Sequence, residues 1–122
     1  MPKKVLIVED DPKNMRLAML TLKSRGYELI CAMDGEEAVN TTINEKPDII
    51  LMDMQLPKIS GIEATKQIRE CPEFAEIPIV ALTAYAMKGD EEKYIEVGCT
   101  AYMSKPINTR ELPVKVAELL GE

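Results

Sequence analysis

The chain has 122 residues, 46% of them hydrophobic and 30% charged, which is typical of a single soluble domain spanning residues 1–122 with one core. Its formal charge of −6 disfavours a nucleic-acid partner, because such binding depends on cations that neutralise phosphates. The first apolar run is too short for a signal peptide or a membrane span, and three widely spaced cysteines indicate neither a disulfide framework nor a zinc site. We therefore expect a cytoplasmic protein that binds neither nucleic acid nor membrane.

The N-terminal quarter predicts a strand, a helix and a second strand. Residues 5–8 form a continuous apolar run, as in a strand that is buried on both faces. Asp11 and Pro12 are typical of an N-cap followed by the first helical residue, and Gly26 is a plausible helix stop. Residues 27–32 then predict the second strand.

A second helix and a third strand follow. Asp34 and Glu37 have the spacing of a capping box, which places the helix start there. The helix must end near Lys46, because Pro47 disfavours helical angles in the residue before it. Residues 48–53 predict the third strand, which ends in an aspartate.

The next segment predicts a third helix, a fourth strand and a fourth helix. Helical spacing of apolar residues begins after Gly61 and stops before Pro72. Residues 78–83 predict the fourth strand. Acidic residues 90–92 favour a helix start through the helix dipole, and Gly98 closes this helix. The residues expected to face inward from it are Tyr94, Ile95 and Val97.

Residues 100–103 predict the fifth strand, and a last helix follows it. Asn108 and Glu111 are suited to cap this helix, and Pro113 fits only near its first turn. Because five nearly continuous apolar strands alternate with five helices through short connections, the sequence predicts an α/β fold. Its expected form is a doubly wound parallel sheet covered on both faces.

Polar residues with complementary chemistry follow four of the predicted strands. Glu9, Asp10, Asp53, Thr83 and Lys105 all fall at strand ends, and parallel strands end at the same edge of a sheet. Clustered carboxylates favour a hard divalent cation such as Mg²⁺, whose open ligand positions suit a phosphoryl oxygen. A carboxylate beside a cation and a lysine can itself attack phosphorus, so the pattern predicts a metal and phosphoryl site.

Four segments together resemble the receiver domain of two-component response regulators. They are residues 6–11, residues 50–57 with Ser60 and Gly61, residues 81–84, and residues 104–106. The resemblance covers the whole chain. Within the family, the sequence is similar to the single-domain type represented by DivK, which has no output domain. It implies a (βα)5, flavodoxin-like topology with strand order 2-1-3-4-5.

The resemblance implies a role for each site residue. Asp53 would accept a phosphoryl group, and Asp10 and Asp53 would ligate Mg²⁺ directly, with Mn²⁺ as a possible substitute. Glu9 would assist through water, and the backbone carbonyl of Gln55 would supply a further ligand. Lys105 would pair with the phosphoryl oxygens.

Further residues are implied to carry the signal onward. Thr83 would turn its hydroxyl toward the new phosphoryl group while Tyr102 swings inward, which reshapes the face of the fourth helix, fifth strand and fifth helix. The peptide bond before Pro106 would be cis. Tyr85 is hypothesised to border the path of hydrolytic water and to prolong the phosphoryl lifetime.

The implied partners are a histidine kinase or a histidine phosphotransfer protein, since this chain has no histidine of its own, and a downstream protein target. A monomer that catalyses only its own phosphorylation and slow dephosphorylation is expected. One alternative is a receiver module of a hybrid histidine kinase. A haloacid-dehalogenase-like phosphatase would need a general acid where Gln55 stands, and a flavodoxin-like flavin carrier would need an uncharged phosphate loop after the first strand.

Overall fold

The structure, a computed structural model, describes residues 2–84 and 90–122. Within these residues, five strands alternate with five α-helices and one short 3₁₀ turn. The elements are β1 (Lys4–Val8), α1 (Pro12–Lys23), β2 (Glu28–Ala32), α2 (Gly35–Glu45), β3 (Ile49–Asp53), α3 (Gly61–Glu70), the 3₁₀ turn (Pro72–Phe74), β4 (Ile79–Thr83), α4 (Asp90–Glu96), β5 (Ala101–Ser104) and α5 (Glu111–Leu119). None of the described helices combines the length and the hydropathy needed to cross a bilayer.

The strands form one parallel sheet in the order β2-β1-β3-β4-β5, which confirms the predicted topology. Strand order reverses at β1, because the chain moves outward to β2 and then returns to β3 on the other side. In open sheets of this kind, ligands bind beyond the carboxyl ends of the strands near this reversal. The sheet therefore places the ends of β1 and β3 at the expected position of a site.

Successive residues of each strand point to opposite faces of the sheet, so the sheet separates two hydrophobic cores. One core is closed by α2, α3 and α4, with Ala38, Ile68 and Tyr94 among its buried residues. The other is closed by α1 and α5, with Leu22 and Val116 among its buried residues. This division explains why the central strands are apolar along their whole length.

Local capping residues lie where the sequence predicts them. The Asp11 carboxylate accepts a hydrogen bond from the backbone of Lys13 at 2.9 Å, and Pro12 begins α1. Asp34 caps α2 by accepting from the backbone N–H of Glu37 at 2.8 Å. Lys46 ends α2 in the left-handed region with φ of 50°, a conformation that is common at the C-terminal ends of helices. The side chains of Asp11 and Asp34 thus satisfy backbone N–H groups that would otherwise lack partners at the helix starts.

The predicted inward face of α4 is partly wrong. Tyr94 is buried, with 4% of its surface exposed, whereas Ile95 is 46% exposed. Adjacent helical residues point about 100° apart, so both side chains cannot enter the same narrow core. In the described part of α4, Tyr94 is thus the residue that anchors the helix to the sheet.

Arg69, near the end of α3, connects three segments on the α4 side of the sheet. Its guanidinium donates hydrogen bonds to the carbonyl oxygen of Gly98 at 2.9 and 2.7 Å, and to that of Phe74 at 2.8 Å. Gly98 has φ of 116°, and a Cβ atom there would lie 2.8 Å from Arg69 Cγ. A residue without a side chain is therefore required at this turn, and Arg69 holds the turn against α3.

Replacing Arg69 with methionine is expected to lower the free energy of unfolding by about 2 to 4 kcal/mol, because two partly buried carbonyl groups lose a charged donor. Urea denaturation of the wild type and the variant measures the difference. Arg25→Met, in an exposed turn, is the matched control and should change stability by less than about 0.5 kcal/mol. An equal effect of the two substitutions would contradict the structural role of Arg69.

Candidate phosphoryl and metal site

The parallel sheet brings the predicted site residues to one edge. Asp53 is the last residue of β3 and Thr83 the last of β4, while Glu9 directly follows β1 and Lys105 follows β5. The ladder continues one step past the strand ends: Glu9 N–H donates to Ala32 at 3.0 Å, and Lys105 N–H donates to Thr83 at 2.9 Å. The backbone of these residues is therefore held by the sheet.

An ammonium group lies between two buried carboxylates at this edge. Lys105 Nζ is 2.9 Å from Glu9 Oε1 and 2.8 Å from Asp53 Oδ2. Glu9 and Asp53 are each only 1% exposed, and the Lys105 side chain is 17% exposed. Buried charges of this kind require close partners, because transfer out of water costs several kcal/mol per ion.

A third carboxylate joins this pair from the solvent side. Glu9, buried Asp53 and exposed Asp10 each contribute an oxygen, and these three oxygens all lie within 4.8 Å of one another. One ammonium group cannot neutralise three acids, so the cluster keeps an excess of negative charge. Hard oxygen donors with excess negative charge and one solvent-facing side suit Mg²⁺, which prefers carboxylates and retains water ligands. The residues present therefore fit such an ion.

Burial and neighbouring charged groups shift the pKa values of two residues of this cluster. The pKa of Glu9 is raised from 4.5 to about 7: burial is the largest cause, the hydrogen bond with Lys105 opposes it, and the nearby Asp53 carboxylate adds to it. Burial alone would lower the pKa of Lys105, but its hydrogen bonds with Asp53 and Glu9 outweigh this effect and raise it. Lys105 is therefore a permanent cation near neutral pH, and Glu9 is the group that responds to pH.

The loop after β3 orients the Asp53 carboxylate. Gln55 N–H donates to Asp53 Oδ1 at 2.9 Å, so both carboxylate oxygens have a donor. Gly61, the first residue of α3, packs directly on this loop: a Cβ atom there would lie 2.3 Å from the Asp53 carbonyl oxygen and 2.7 Å from Met54 Cα. Glycine at this position is what allows α3 to begin so close to the end of β3.

Thr83 is fully buried and belongs to a small network of side chains. Its Oγ1 lies 2.9 Å from the hydroxyl of Tyr94 and accepts from Gln55 Nε2 at 3.3 Å. Gln55 Oε1 in turn accepts from the backbone of Ala84 at 3.4 Å. The sequence predicts a backbone ligand role for Gln55 and a position beside the path of hydrolytic water, and it predicts a place in the core for Tyr94. It does not predict that either side chain contacts Thr83, because residue spacing does not reveal where a hydroxyl or an amide will point.

The remaining predicted residues lie beside this network or outside the described chain. Tyr102 is half-buried against the core of α2, α3 and α4, and a hydrogen bond from its hydroxyl to Glu91 raises the pKa of Tyr102. The peptide bond between Lys105 and Pro106 is cis. Tyr85 lies outside the described residues.

Comparison with known proteins identifies the family. The response regulator receiver domain family matches residues 5–117, which is nearly the whole chain. This chain belongs to the response regulator receiver domains. The family acts in phosphorelay signalling between proteins, and its members bind Mg²⁺ at an acidic pocket and interact with histidine kinases or phosphotransfer proteins and with downstream targets.

Several individual receiver proteins are similar over their full length. The polar-differentiation response regulator DivK of Brucella anthropi is 45% identical over 122 residues, which cover all of this chain and 99% of DivK. The receiver domain of the sensor histidine kinase PA1611 from Pseudomonas aeruginosa, solved with a magnesium ion coordinated in its active-site cleft, is 35% identical with a TM-score of 0.91 and full coverage of both chains.

A second similar structure comes from a complex. It is the co-crystal structure of the Saccharomyces cerevisiae histidine phosphotransfer protein Ypd1 with the receiver domain of Ssk1, with 36% identity, a TM-score of 0.90 and coverage of 97% of this chain and 88% of that chain. The receiver family assignment is confirmed by these full-length similarities. The chain is therefore assigned to the receiver family and not to the phosphatase or flavin-carrier classes considered from the sequence.

Proposed function

We propose that this receiver domain accepts a phosphoryl group on Asp53 and thereby switches a surface that docks on another protein. The observation that carries this proposal is the Asp53 carboxylate: it is 1% exposed, oriented through both oxygens by Lys105 Nζ and Gln55 N–H, and clustered with two further acids. A carboxylate held in this way at the mouth of a cation site is a suitable nucleophile for phosphorus.

In the proposed reaction, an oxygen of Asp53 attacks the phosphorus of a phosphohistidine on the partner. The new P–O bond forms as the P–N bond to histidine breaks, which leaves an acyl phosphate on Asp53 and a neutral imidazole on the partner once it has taken up a proton. Lys105 loses part of its contact with the Asp53 carboxylate and is positioned to pair with the phosphoryl oxygens, where negative charge accumulates.

A divalent cation is part of the proposal. Asp10 and Asp53 would hold Mg²⁺ directly, Glu9 would act through water, and the backbone carbonyl of Gln55 would supply a further oxygen; Mn²⁺ is a possible substitute. The excess of carboxylates over cations supports this assignment, as does the magnesium ion in the cleft of the similar PA1611 receiver. When bound, the ion would neutralise charge on the phosphoryl oxygens.

Thr83 and Tyr102 are proposed as the switch residues. Thr83 ends the strand next to that of Asp53, and Tyr102 lies on the following strand with its hydroxyl at the surface near Glu91. Movement of Thr83 toward the phosphoryl group and of Tyr102 inward would alter the face formed by α4, β5 and α5. The negative charge added at Asp53 would thus change the shape of the surface formed by α4, β5 and α5.

The proposed partners are a histidine kinase or a histidine phosphotransfer protein as donor, and a downstream protein as target. The 122 residues contain no histidine, so the donor histidine must lie outside this domain, and the Ypd1–Ssk1 complex is an example of a histidine phosphotransfer protein paired with a receiver domain. We propose a cytoplasmic monomer without nucleic-acid or membrane partners, whose only catalysis is its own phosphorylation and slow dephosphorylation. Use of the same domain within a hybrid histidine kinase remains the alternative.

The proposal is tested by incubating the protein with Mg²⁺ and a small phosphoryl donor and weighing it intact. The expected result is a gain of one phosphoryl mass that requires Mg²⁺, is prevented by a chelator, and is reversed by neutral hydroxylamine, which cleaves acyl phosphates but not phosphate esters. No mass gain, or a gain resistant to hydroxylamine, would overturn the proposal.

A second experiment separates two uses of the phosphorylated state. Protein that carries a radiolabelled phosphoryl group is mixed with a candidate histidine phosphotransfer protein. Passage of the label to that protein indicates a relay intermediate, whereas tight binding without transfer indicates an allosteric ligand of its target.

A further inference from the structure

The buried hydroxyl of Tyr94 reaches the proposed switch residue from α4. Tyr94 is 4% exposed, and its Oη lies 2.9 Å from Thr83 Oγ1, within the range of a hydrogen bond between two hydroxyl groups. The contact between Gln55 Nε2 and the same Thr83 oxygen is longer, at 3.3 Å. The contact with Tyr94 is therefore the closer of the two. Tyr94 belongs to α4, which is part of the face formed by α4, β5 and α5 that is proposed to change on phosphorylation.

We propose that the Tyr94 hydroxyl is a positioning group that holds Thr83 in the unphosphorylated arrangement and opposes its turn toward a phosphoryl group. This inference rests on the proposed function, in which Thr83 changes its hydrogen-bond partner. Tyr94 touches neither Asp53 nor Lys105 in the described contacts, so it acts through Thr83 alone.

The chemistry of a hydroxyl group gives this contact its effect. A threonine hydroxyl has one proton, which it can donate either to Tyr94 or to a phosphoryl oxygen, but not to both. If Tyr94 is instead the donor, the contact still fixes the position of Oγ1, because a change of the Thr83 side chain to another staggered rotamer moves that oxygen away. Either direction of the bond stabilises the resting orientation of Thr83.

The phenol ring and its hydroxyl have separable roles. The ring fills the core among α3, α4 and the sheet, which a phenylalanine at the same position would also do. Among the contacts of residues 2–84 and 90–122, the hydroxyl adds the bond to Thr83. Removal of the hydroxyl should therefore leave the packing intact and favour the arrangement in which Thr83 has turned, because a group that stabilises one of two states shifts the balance by its differential contribution.

The test uses Tyr94→Phe and beryllofluoride, an unreactive analogue of a phosphoryl group, in the presence of Mg²⁺. Amide NMR spectra give the fraction of protein in the bound form at each beryllofluoride concentration. We expect the variant to reach half-saturation at a concentration about 3- to 10-fold lower than the wild type, the range that corresponds to loss of one neutral hydrogen bond. An equal or higher concentration for the variant would overturn the inference.

Two control variants show that the effect passes through Thr83. Tyr27→Phe removes a phenol hydroxyl that donates to exposed Glu122 at 2.8 Å, remote from the site, and should leave half-saturation unchanged. In the Thr83→Val background, Tyr94→Phe should have no further effect, because the partner hydroxyl is already absent. A shift that persists in that background, or an equal shift with Tyr27→Phe, would contradict the inference.

The wild-type titration distinguishes this inference from the proposed function. If wild-type protein with Mg²⁺ does not bind beryllofluoride, the proposed phosphoryl site is contradicted, and so is the inference about Tyr94 that rests on it. If the wild type binds and Tyr94→Phe behaves identically, the phosphoryl site stands and only the role of Tyr94 is overturned. Thermal denaturation of each variant confirms that the titrations compare folded proteins.

Discussion

Asp53→Asn is expected to abolish phosphorylation under conditions in which the wild type is fully labelled. The amide lacks the charged oxygen that attacks phosphorus, and the two other acids of the cluster are poorer replacements: Asp10 is exposed, and the pKa of Glu9 is raised to about 7, so Glu9 carries a proton for part of the time near neutral pH. Intact mass measurement after incubation with Mg²⁺ and a small phosphoryl donor gives the result directly. The variant should remain at its starting mass.

The control for this variant is Asp11→Asn. Asp11 lies two residues from Glu9 but caps α1 through its side chain, and asparagine is an equally good cap. This control should gain one phosphoryl mass like the wild type. Asp53→Asn should also remain folded without metal, since it removes one of three crowded carboxylates. Phosphoryl uptake by Asp53→Asn at the wild-type rate would show that the acceptor lies elsewhere.

Lys105→Met is expected to have the largest effect on stability. Without the ammonium group, buried Glu9 and Asp53 face one another with no cation, and breaking a buried ion pair from one side costs about 3 to 5 kcal/mol. Urea denaturation in the presence of a chelator, at about pH 8, measures this loss above the pKa that Glu9 has in the wild type. Added Mg²⁺ should restore part of the stability by binding only the folded state.

The loss caused by Lys105→Met should depend strongly on pH. In the folded protein Glu9 has a pKa of about 7, above its ordinary 4.5, so its contribution to stability is full below 4.5 and is lost as pH rises toward 7. Without Lys105, the pKa of Glu9 should rise further. The variant is therefore expected to lie much closer to the wild type at about pH 5, where Glu9 carries its proton, than at about pH 8.

Lys58→Met is the matched control for this experiment. The Lys58 ammonium lies 3.7 Å from Asp34, but its side chain is exposed, and exposed ion pairs contribute less than about 1 kcal/mol. Its effect should be small at both pH values. A loss for Lys105→Met that is equally small, or that does not change with pH, would show that the buried ion cluster does not have the charges described here.

The architecture followed from local patterns that are strong in this chain. Continuous apolar runs can be satisfied only in a sheet covered on both faces, and Asp11 and Asp34 mark helix starts through side-chain geometry that requires no distant partner. Because parallel strands end at one edge, the sequence positions of Glu9, Asp53 and Lys105 sufficed to predict that they meet.

Contacts that depend on the direction of a long side chain could not be predicted in this way. Arg69 has the sequence appearance of a surface residue, yet its guanidinium binds the carbonyl group of Gly98, 29 residues away, and that of Phe74 in the 3₁₀ turn. Ile95 and Tyr94 are both apolar enough for a core, and only the packed helix decides which one enters it. The Gln55 amide reaches Thr83 for a similar reason: the link is tertiary, and residue spacing does not encode it.

The separation of the two cores by the sheet has a consequence for sequence divergence. Residues of α1 and α5 pack with one set of strand side chains, and residues of α2, α3 and α4 pack with the other. Substitutions in one layer therefore need no compensating change in the opposite layer, as distant sites are usually additive. Duplicated copies of such a domain can therefore repack α1 and α5 while inheriting the core under α2, α3 and α4 unchanged.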